Sequence, residues 1–278
     1  MTTNINFFKK ELKKWYKKNQ RSFEWRNSNN PWKILLIETL SQQTQIDRAD
    51  EFYKKFIHKY PTPQHMARAS KKEVLKLWSG LGYNNRAIRL HASSKVLAKY
   101  NFDEIYPDFT ILPGVGPYTN SALLSFAYEK KVIAVDTNIK RIIKRFFKID
   151  DLDTFLSKNT DILLKNFKSR DFNQALMDLG ATVCTSNNPK CKICPLELLC
   201  NKFIVKENKK SKRFEGSMRQ KRGRVLKMLL MEKNVTKQSI NKELEVTNKI
   251  TDQILDSLMK DNLITISVSY THLRAHET

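Results

Sequence analysis

Phe8, Leu12, Trp15 and Tyr16 recur at i, i+4, i+7 and i+8 with lysines between them. That stripe predicts an amphipathic helix docked on something larger. Ser70 followed by Glu73 makes a capping box for a helix running to about Leu81, with Val74, Leu77 and Trp78 as its buried face. Residues 32–41, 46–58, 86–98, 119–129, 137–147, 153–167 and 172–182 also read as short helices joined by polar turns. Convincing strand alternation is absent until the end. Val225, Leu226, Leu229 and Leu230, then Ile240 and Leu244, then Ile250, Ile254 and Leu258, give three helical stripes ahead of the β-like Leu263–Ile266. That order suggests a small winged-helix module, so the chain is expected to be mainly α.

With 278 residues and 40% apolar content the chain can bury a substantial core. Its 51 Lys plus Arg against 28 Asp plus Glu leave a net charge of +23, which favours a polyanionic partner, nucleic acid first. Biased composition alone could also produce such a charge, so the motifs must decide. Residues 202–224 hold ten Lys or Arg against Glu207 and Glu215 and read as a solvated connector. No apolar run reaches the ~20 residues that a membrane span requires, and residues 1–8 lack a signal-peptide core. The expectation is a cytoplasmic, nucleoid-associated monomer with no membrane partner.

Four cysteines stand as Cys184-x6-Cys191-x2-Cys194-x5-Cys200, with Pro195 directly after the third. Such a compact set reads as one group of ligands rather than a disulfide framework. Four thiolates this close along the chain can close around an iron–sulfur core. Zinc is the rival, although structural zinc sites usually pair two short knuckles and only one pair here is that close. Four unrelated buried cysteines are the plainest alternative.

Leu112-Pro113-Gly114-Val115-Gly116-Pro117 lies between two helical segments. Its glycines allow a tight turn and close backbone approach, and Pro117 suits the first position of the next helix. The N–H groups of that first turn would form an anion site. An ordinary helix connector would have the same residues.

The cysteine spacing and the hairpin string together resemble the helix-hairpin-helix superfamily of endonuclease III, and over roughly residues 8–205 the chain is similar to the MutY adenine DNA glycosylases. The resemblance implies a [4Fe-4S] cluster on Cys184, Cys191, Cys194 and Cys200, organising a basic loop with Lys190, Lys192 and Lys202 against DNA. It also implies that the hairpin, through Leu112, Gly114, Val115, Gly116 and Thr119, holds a phosphate without reading sequence.

Within this frame two acids stand out: Glu38, in Glu38-Thr39-Leu40-Ser41-Gln42-Gln43-Thr44-Gln45, and Asp136, in Val135-Asp136-Thr137-Asn138. Cleaving an N-glycosidic bond requires an anion near the oxocarbenium-like sugar and a proton for the departing base. Asp136 is assigned the first role, with Asn138 beside it. Glu38 is assigned the second, donating to N7 of a purine from an apolar pocket that raises its pKa. Lyase-active relatives carry a lysine where this chain has Tyr118, so a monofunctional glycosylase is expected. Tyrosine occurs there both in MutY proteins and in thymine glycosylases acting on T:G mispairs. The Gln-Gln-Thr-Gln string and the purine N7 favour adenine.

By the same resemblance Gln42, Gln43 and Tyr83 enter the base stack of double-stranded DNA carrying a mispaired or oxidised base. Arg26 and Arg86 join the DNA-binding set. Further matching strings are Trp25-Arg26, Gly80-Leu81-Gly82-Tyr83, Phe172-Asn173-Gln174-Ala175 and Asp178-Leu179-Gly180-Ala181. A non-catalytic iron–sulfur regulator with a winged helix is the reading from a different class, and Asp136 argues against it.

The resemblance divides the chain into an N-terminal helix over 1–24 packed on the cluster domain, a six-helix domain with the hairpin over 25–135, and a helical cluster domain over 136–203. A basic linker over 204–222 and a winged-helix-like module over 223–266 follow. Phe214-Glu215-Gly216-Ser217 and the arginines after it look like a shorter subgroup that lacks a Nudix-like domain. Residues 267–278, ending VSYTHLRAHET, are similar to a translated sequencing adapter and are expected to be an artefact. The native chain would then diverge near Ile266, and His272 and His276 would carry no function.

Overall fold

The computed structural model describes residues 2–203, 214–232, 235–266 and 273–275. In chain order its helices are α1 (Thr2–Asn19), α2 (Pro31–Ser41), α3 (Ile46–Lys59), α4 (Pro63–Ala67), α5 (Lys71–Trp78), α6 (Asn85–Lys99), α7 (Pro117–Phe126), α8 (Thr137–Phe147), α9 (Leu152–Leu164), α10 (Ser169–Thr182), α11 (Met218–Met231), α12 (Lys237–Leu244) and α13 (Asn248–Lys260). Strands β1 (Ile264–Ile266) and β2 (Leu273–Ala275) follow. Each helix expected from periodicity is present. At five residues α4 is too short to display a period, and Pro63 at its first turn is its one sequence signal. The Ser70 capping box forms, with Glu73 N–H donating to Ser70 Oγ at 3.2 Å and Ser70 N–H donating to Glu73 Oε2 at 2.8 Å. Its helix buries Val74, Leu75 and Trp78, so Leu75 takes the place expected of Leu77.

Contacts divide the chain into two compact units. The first comprises Met1–Glu38, Pro107–Thr110 and Val115–Lys209. Here α1 lies against α9 and α10, and α8 against α10. Phe8, Leu12, Phe146 and Phe172 are fully buried, and the rings of Phe8 and Phe146 meet edge-on at 4.9 Å. Cys184, Cys194 and Cys200 pack along the margin of this core. The docked N-terminal helix expected from the Phe8 stripe is therefore present.

The second unit comprises Thr39–Tyr106, Ile111–Gly114 and Lys210–Thr278. In it α6 packs on α4 and α5, and Phe56 meets Trp78 edge-on at 5.6 Å. The C-terminal helices belong to this unit, because α11 packs on both α5 and α13. This differs from the expected boundaries. Part of the expected linker, 204–213, lies outside the described residues, while Met218–Arg222 are the first turns of α11. Ser217 caps that helix by accepting the N–H of Gln220, and Val225, Leu226, Leu229 and Leu230 bury its apolar stripe. Nor do the contacts divide at residue 135, since α7 and the α2 residues up to Glu38 fall in the unit that carries the cysteines.

β1 and β2 pair antiparallel, with Ile264 opposite Ala275 and Ile266 opposite Leu273, so β2 lies inside the 267–278 tract. Three helices and a ribbon follow one another in winged-helix order. Among the described residues no helix is long and apolar enough to cross a membrane.

Candidate active site

The segment Trp32–Ile37 of α2 is apolar and buried at all but Lys33, so Glu38 at its end enters a desolvated setting, 7% exposed. Tyr118, in the first turn of α7, donates its hydroxyl hydrogen to Glu38 Oε2 at 2.7 Å. Burial pushes the Glu38 carboxyl up to about 7; the Tyr118 hydrogen bond opposes that rise and the nearby Asp136 charge adds to it. Burial also holds the Tyr118 hydroxyl well above its ordinary value. A carboxylic acid that keeps its proton near neutral pH can act as a general acid there.

Asp136 is the N-cap of α8 as well as the second acid. Its Oδ1 accepts the N–H of Ile139 at 2.7 Å and its Oδ2 accepts from Asn138 Nδ2 at 2.9 Å. Burial raises its pKa, while those donors and the Arg141 charge pull the other way. The cap fixes this carboxylate at the start of α8.

Asn138 is fixed in turn. Arg141 Nη2 donates to its Oδ1 at 2.7 Å and to the Gly180 carbonyl at 2.9 Å. A Cβ added at Gly180 would lie 2.5 Å from that of Asn138, so only glycine lets α10 approach the first turn of α8. Fully buried Asn173 holds the approach to Asp136, accepting the Ala134 N–H at 3.0 Å and donating to the Val132 carbonyl at 3.0 Å. Tyr16 donates to Gln174 at 2.8 Å. Asn173 and Gly180, from two of the matching strings, thus support the segment that carries Asp136 and Asn138. Arg141 was missed by the sequence reading; its one signal is the i, i+3 spacing from Asn138.

Trp25-Arg26 and Asp178-Leu179-Gly180 supply one another's partners. Arg26, expected on the DNA face, is buried, with Nη1 and Nη2 each 2.6 Å from an Asp178 oxygen. Arg21 Nε joins them at 2.6 Å. A buried carboxylate requires such neutralisation, so Arg26 is a scaffold residue here. Arg86 also differs from expectation. It is buried, its guanidinium donates to the carbonyls of Thr39, Leu40, Gln42 and Gly82, and burial lowers its pKa to about 10.

In the hairpin, a 3-10 turn (Phe109–Ile111) leads to Gly114 at φ +88° and then to α7, with Pro117 in its first turn. A side chain at Gly114 would also press on Arg89, whose Cβ would be 3.0 Å away. Leu112, Val115 and Thr119, expected among the DNA contacts, are buried, while Gly114 is exposed and Gly116 half-buried. The first turn of α7 has no side-chain cap, so its N–H groups suit an external anion. Of the residues expected in the stack, Gln43 is exposed at φ +54° and Tyr83 is 42% exposed at φ +47°, while Gln42 is half-buried.

The four cysteines are free thiols, each half-buried, and Cys184, Cys191 and Cys200 all lie close enough to act electrostatically on Cys194. Burial and that crowding push Cys194 to about 11, and burial raises Cys200. Among the described residues no three His, Cys, Asp or Glu are grouped to hold a single metal ion. Donors already face two of the sulfurs: Lys202 N–H reaches Cys200 Sγ at 3.4 Å and Arg145 Nη1 reaches Cys184 Sγ at 3.6 Å. Arg145 also donates to the carbonyls of Thr185 and Ser186 at 2.7 and 2.8 Å, tying the loop to α8. Lys190, Lys192 and Lys202 are exposed around it.

Comparison with known proteins agrees with this geometry. The profile of the HhH-GPD superfamily base excision DNA repair proteins matches residues 37–163, which span Glu38, the hairpin and Asp136. The adenine DNA glycosylase of Mycobacterium tuberculosis is 34% identical over 91% of this chain and 89% of its own. A thermostable thymine-DNA glycosylase structure is 29% identical with a TM-score of 0.65, covering 71% of this chain and 95% of its own. A non-covalent endonuclease III–DNA complex shares the fold at 24% identity and a TM-score of 0.63, covering 73% of this chain and 96% of its own. The chain therefore belongs to the adenine DNA glycosylases of the HhH-GPD superfamily.

Proposed function

We propose that this chain is a monofunctional DNA N-glycosylase that excises adenine mispaired with 8-oxoguanine or guanine, acting as a monomer on duplex DNA in the bacterial cytoplasm. The observation that carries the reading is Glu38: a buried carboxyl held to about 7, hydrogen-bonded to Tyr118 and close to a second acid. Glu38 gives its proton to N7 of the flipped purine, and the glycosidic electron pair leaves with the base. Asp136, fixed by Ile139 and Asn138, stabilises the oxocarbenium-like sugar. Water adds at the anomeric carbon, and Glu38, now a carboxylate, accepts the proton that the water gives up. Tyr118 offers no amine for a Schiff base, so the sugar–phosphate strand stays intact.

The four thiols support a [4Fe-4S] cluster. Structural zinc sites usually pair two short knuckles, whereas Cys184-x6-Cys191-x2-Cys194-x5-Cys200 holds only one pair that close. A polynuclear core spans a wider set and would supply an anchor for the loop that carries Lys190 and Lys192. Anaerobically purified protein should show a broad visible absorption band.

The reading is tested with four duplexes, placing A or T opposite G or 8-oxoguanine, followed by alkali to cut abasic sites. Adenine release from the A-containing duplexes is expected. Thymine release from T:G with adenine retained would instead identify a thymine glycosylase.

A further inference from the structure

Tyr83 follows Gly82, and both have left-handed backbones, φ +47° and φ +71°. Tyrosine adopts that conformation only where its surroundings hold it, and such residues gather at functional sites. Two guanidinium groups face the ring. Arg86, from the turn after Tyr83, lies 5.7 Å from its centroid and is itself locked by four carbonyls. Arg219, from the first turn of α11, lies 5.3 Å from the centroid and donates to the Tyr83 hydroxyl. The same Arg219 guanidinium covers Phe214 at 4.9 Å. Both rings stay partly open to solvent, Tyr83 42% and Phe214 52% exposed. These groups line a cleft of about 1120 Å³ that also includes Gln42, Gln43 and Arg89.

We propose that Arg219 is a positioning residue for the Tyr83 wedge, which makes the C-terminal helical module part of the apparatus that grips the mispair. An aromatic ring inserted between bases keeps more of its stacking energy when it does not have to be immobilised at the moment of insertion. Arg219 pre-orders the ring through its hydroxyl while Tyr83 stays 42% exposed. α11 holds Arg219 in place through its Ser217 cap and its packing on α5. Nearby Arg222 and Arg224 are committed to Asp261 and Glu243, so they do not duplicate this role.

The inference rests on the proposed glycosylase reading and on the expectation from the family resemblance that Tyr83 enters the base stack. It is tested on a mispaired duplex carrying 2-aminopurine beside the mispair, whose fluorescence rises when its neighbours unstack. Single-turnover excision against enzyme concentration gives the half-saturating concentration and the saturating rate separately. For Arg219→Ala the expectation is a half-saturating concentration raised about tenfold, a reduced 2-aminopurine signal and a saturating rate within about twofold of the parent. Combined with Tyr83→Ala, it should add nothing to the Tyr83→Ala loss. Multiplying losses in the double variant, or unchanged half-saturation in Arg219→Ala, would overturn the proposal.

If Arg219→Ala unfolds the module, Tyr83→Phe tests the same contact from the other side. It should weaken binding a few-fold in the parent and not at all in Arg219→Met, which has no donor for the Tyr83 hydroxyl. An equal effect in both backgrounds counts against the clamp. Binding and 2-aminopurine fluorescence need no excision, so they report on Arg219 even if the duplex panel rejects adenine as the substrate.

Discussion

Around Glu38 the first unit desolvates its two acids and gives each a hydrogen-bond partner, whereas at Tyr83 the second unit holds a large ring half in solvent on a backbone that tyrosine disfavours. In the first, low dielectric does the tuning: a carboxyl loses water, keeps its proton and gains a hydroxyl donor. In the second, orientation is supplied by a cation above the ring and a donor at its hydroxyl. A chemical step requires a perturbed proton affinity, and a stacking step requires a shape fixed in advance. The two regions are built accordingly.

Glu38→Gln should break this contrast most visibly. Excision is expected to fall about 10³-fold in single-turnover assays while duplex affinity stays near the parent's, because an amide cannot donate the proton. An equal loss of affinity would mean that Glu38 serves binding instead. The same variant reports on stability. Folded Glu38 holds its proton to about 7 and the unfolded chain releases it near 4.5, so the associated stability is full below 4.5 and is lost as pH rises through 7. Glu38→Gln should therefore gain stability over the parent at pH 8, on the order of 2–3 kcal/mol, and show no such gain at pH 4, as read from melting curves.

Asp136→Asn separates charge from cap. Asparagine caps helices about as well as aspartate, so stability should change by no more than about 0.5 kcal/mol, while the saturating rate falls about 10²-fold. A large loss of stability with little loss of rate would assign Asp136 to the helix alone.

Tyr118→Phe is the smallest and finest test. The hydroxyl lowers the Glu38 pKa, so its removal should move the alkaline limb of the pH–rate profile upward. An unmoved limb would show that a group other than Glu38 sets it.

Periodicity and spacing along the chain carried the helices, the hairpin, the cysteine set and the two acids, because these are local or motif-bound features. Asp136 could be read as an acid and Ser70 as a cap from neighbouring residues alone. The arginines could not be sorted this way: Arg26 and Arg219 look alike in sequence, and only tertiary contacts bury one against Asp178 and lay the other over Tyr83. The basic tract from residue 202 onward read as a connector by charge, yet Met218–Arg222 became helix because Ser217 caps them and α5 accepts the apolar face that follows. The sequence by itself determined which chemistry this chain can carry. Tertiary structure decided which charges are scaffold and which remain available, because burial and pairing depend on partners more than a hundred residues away.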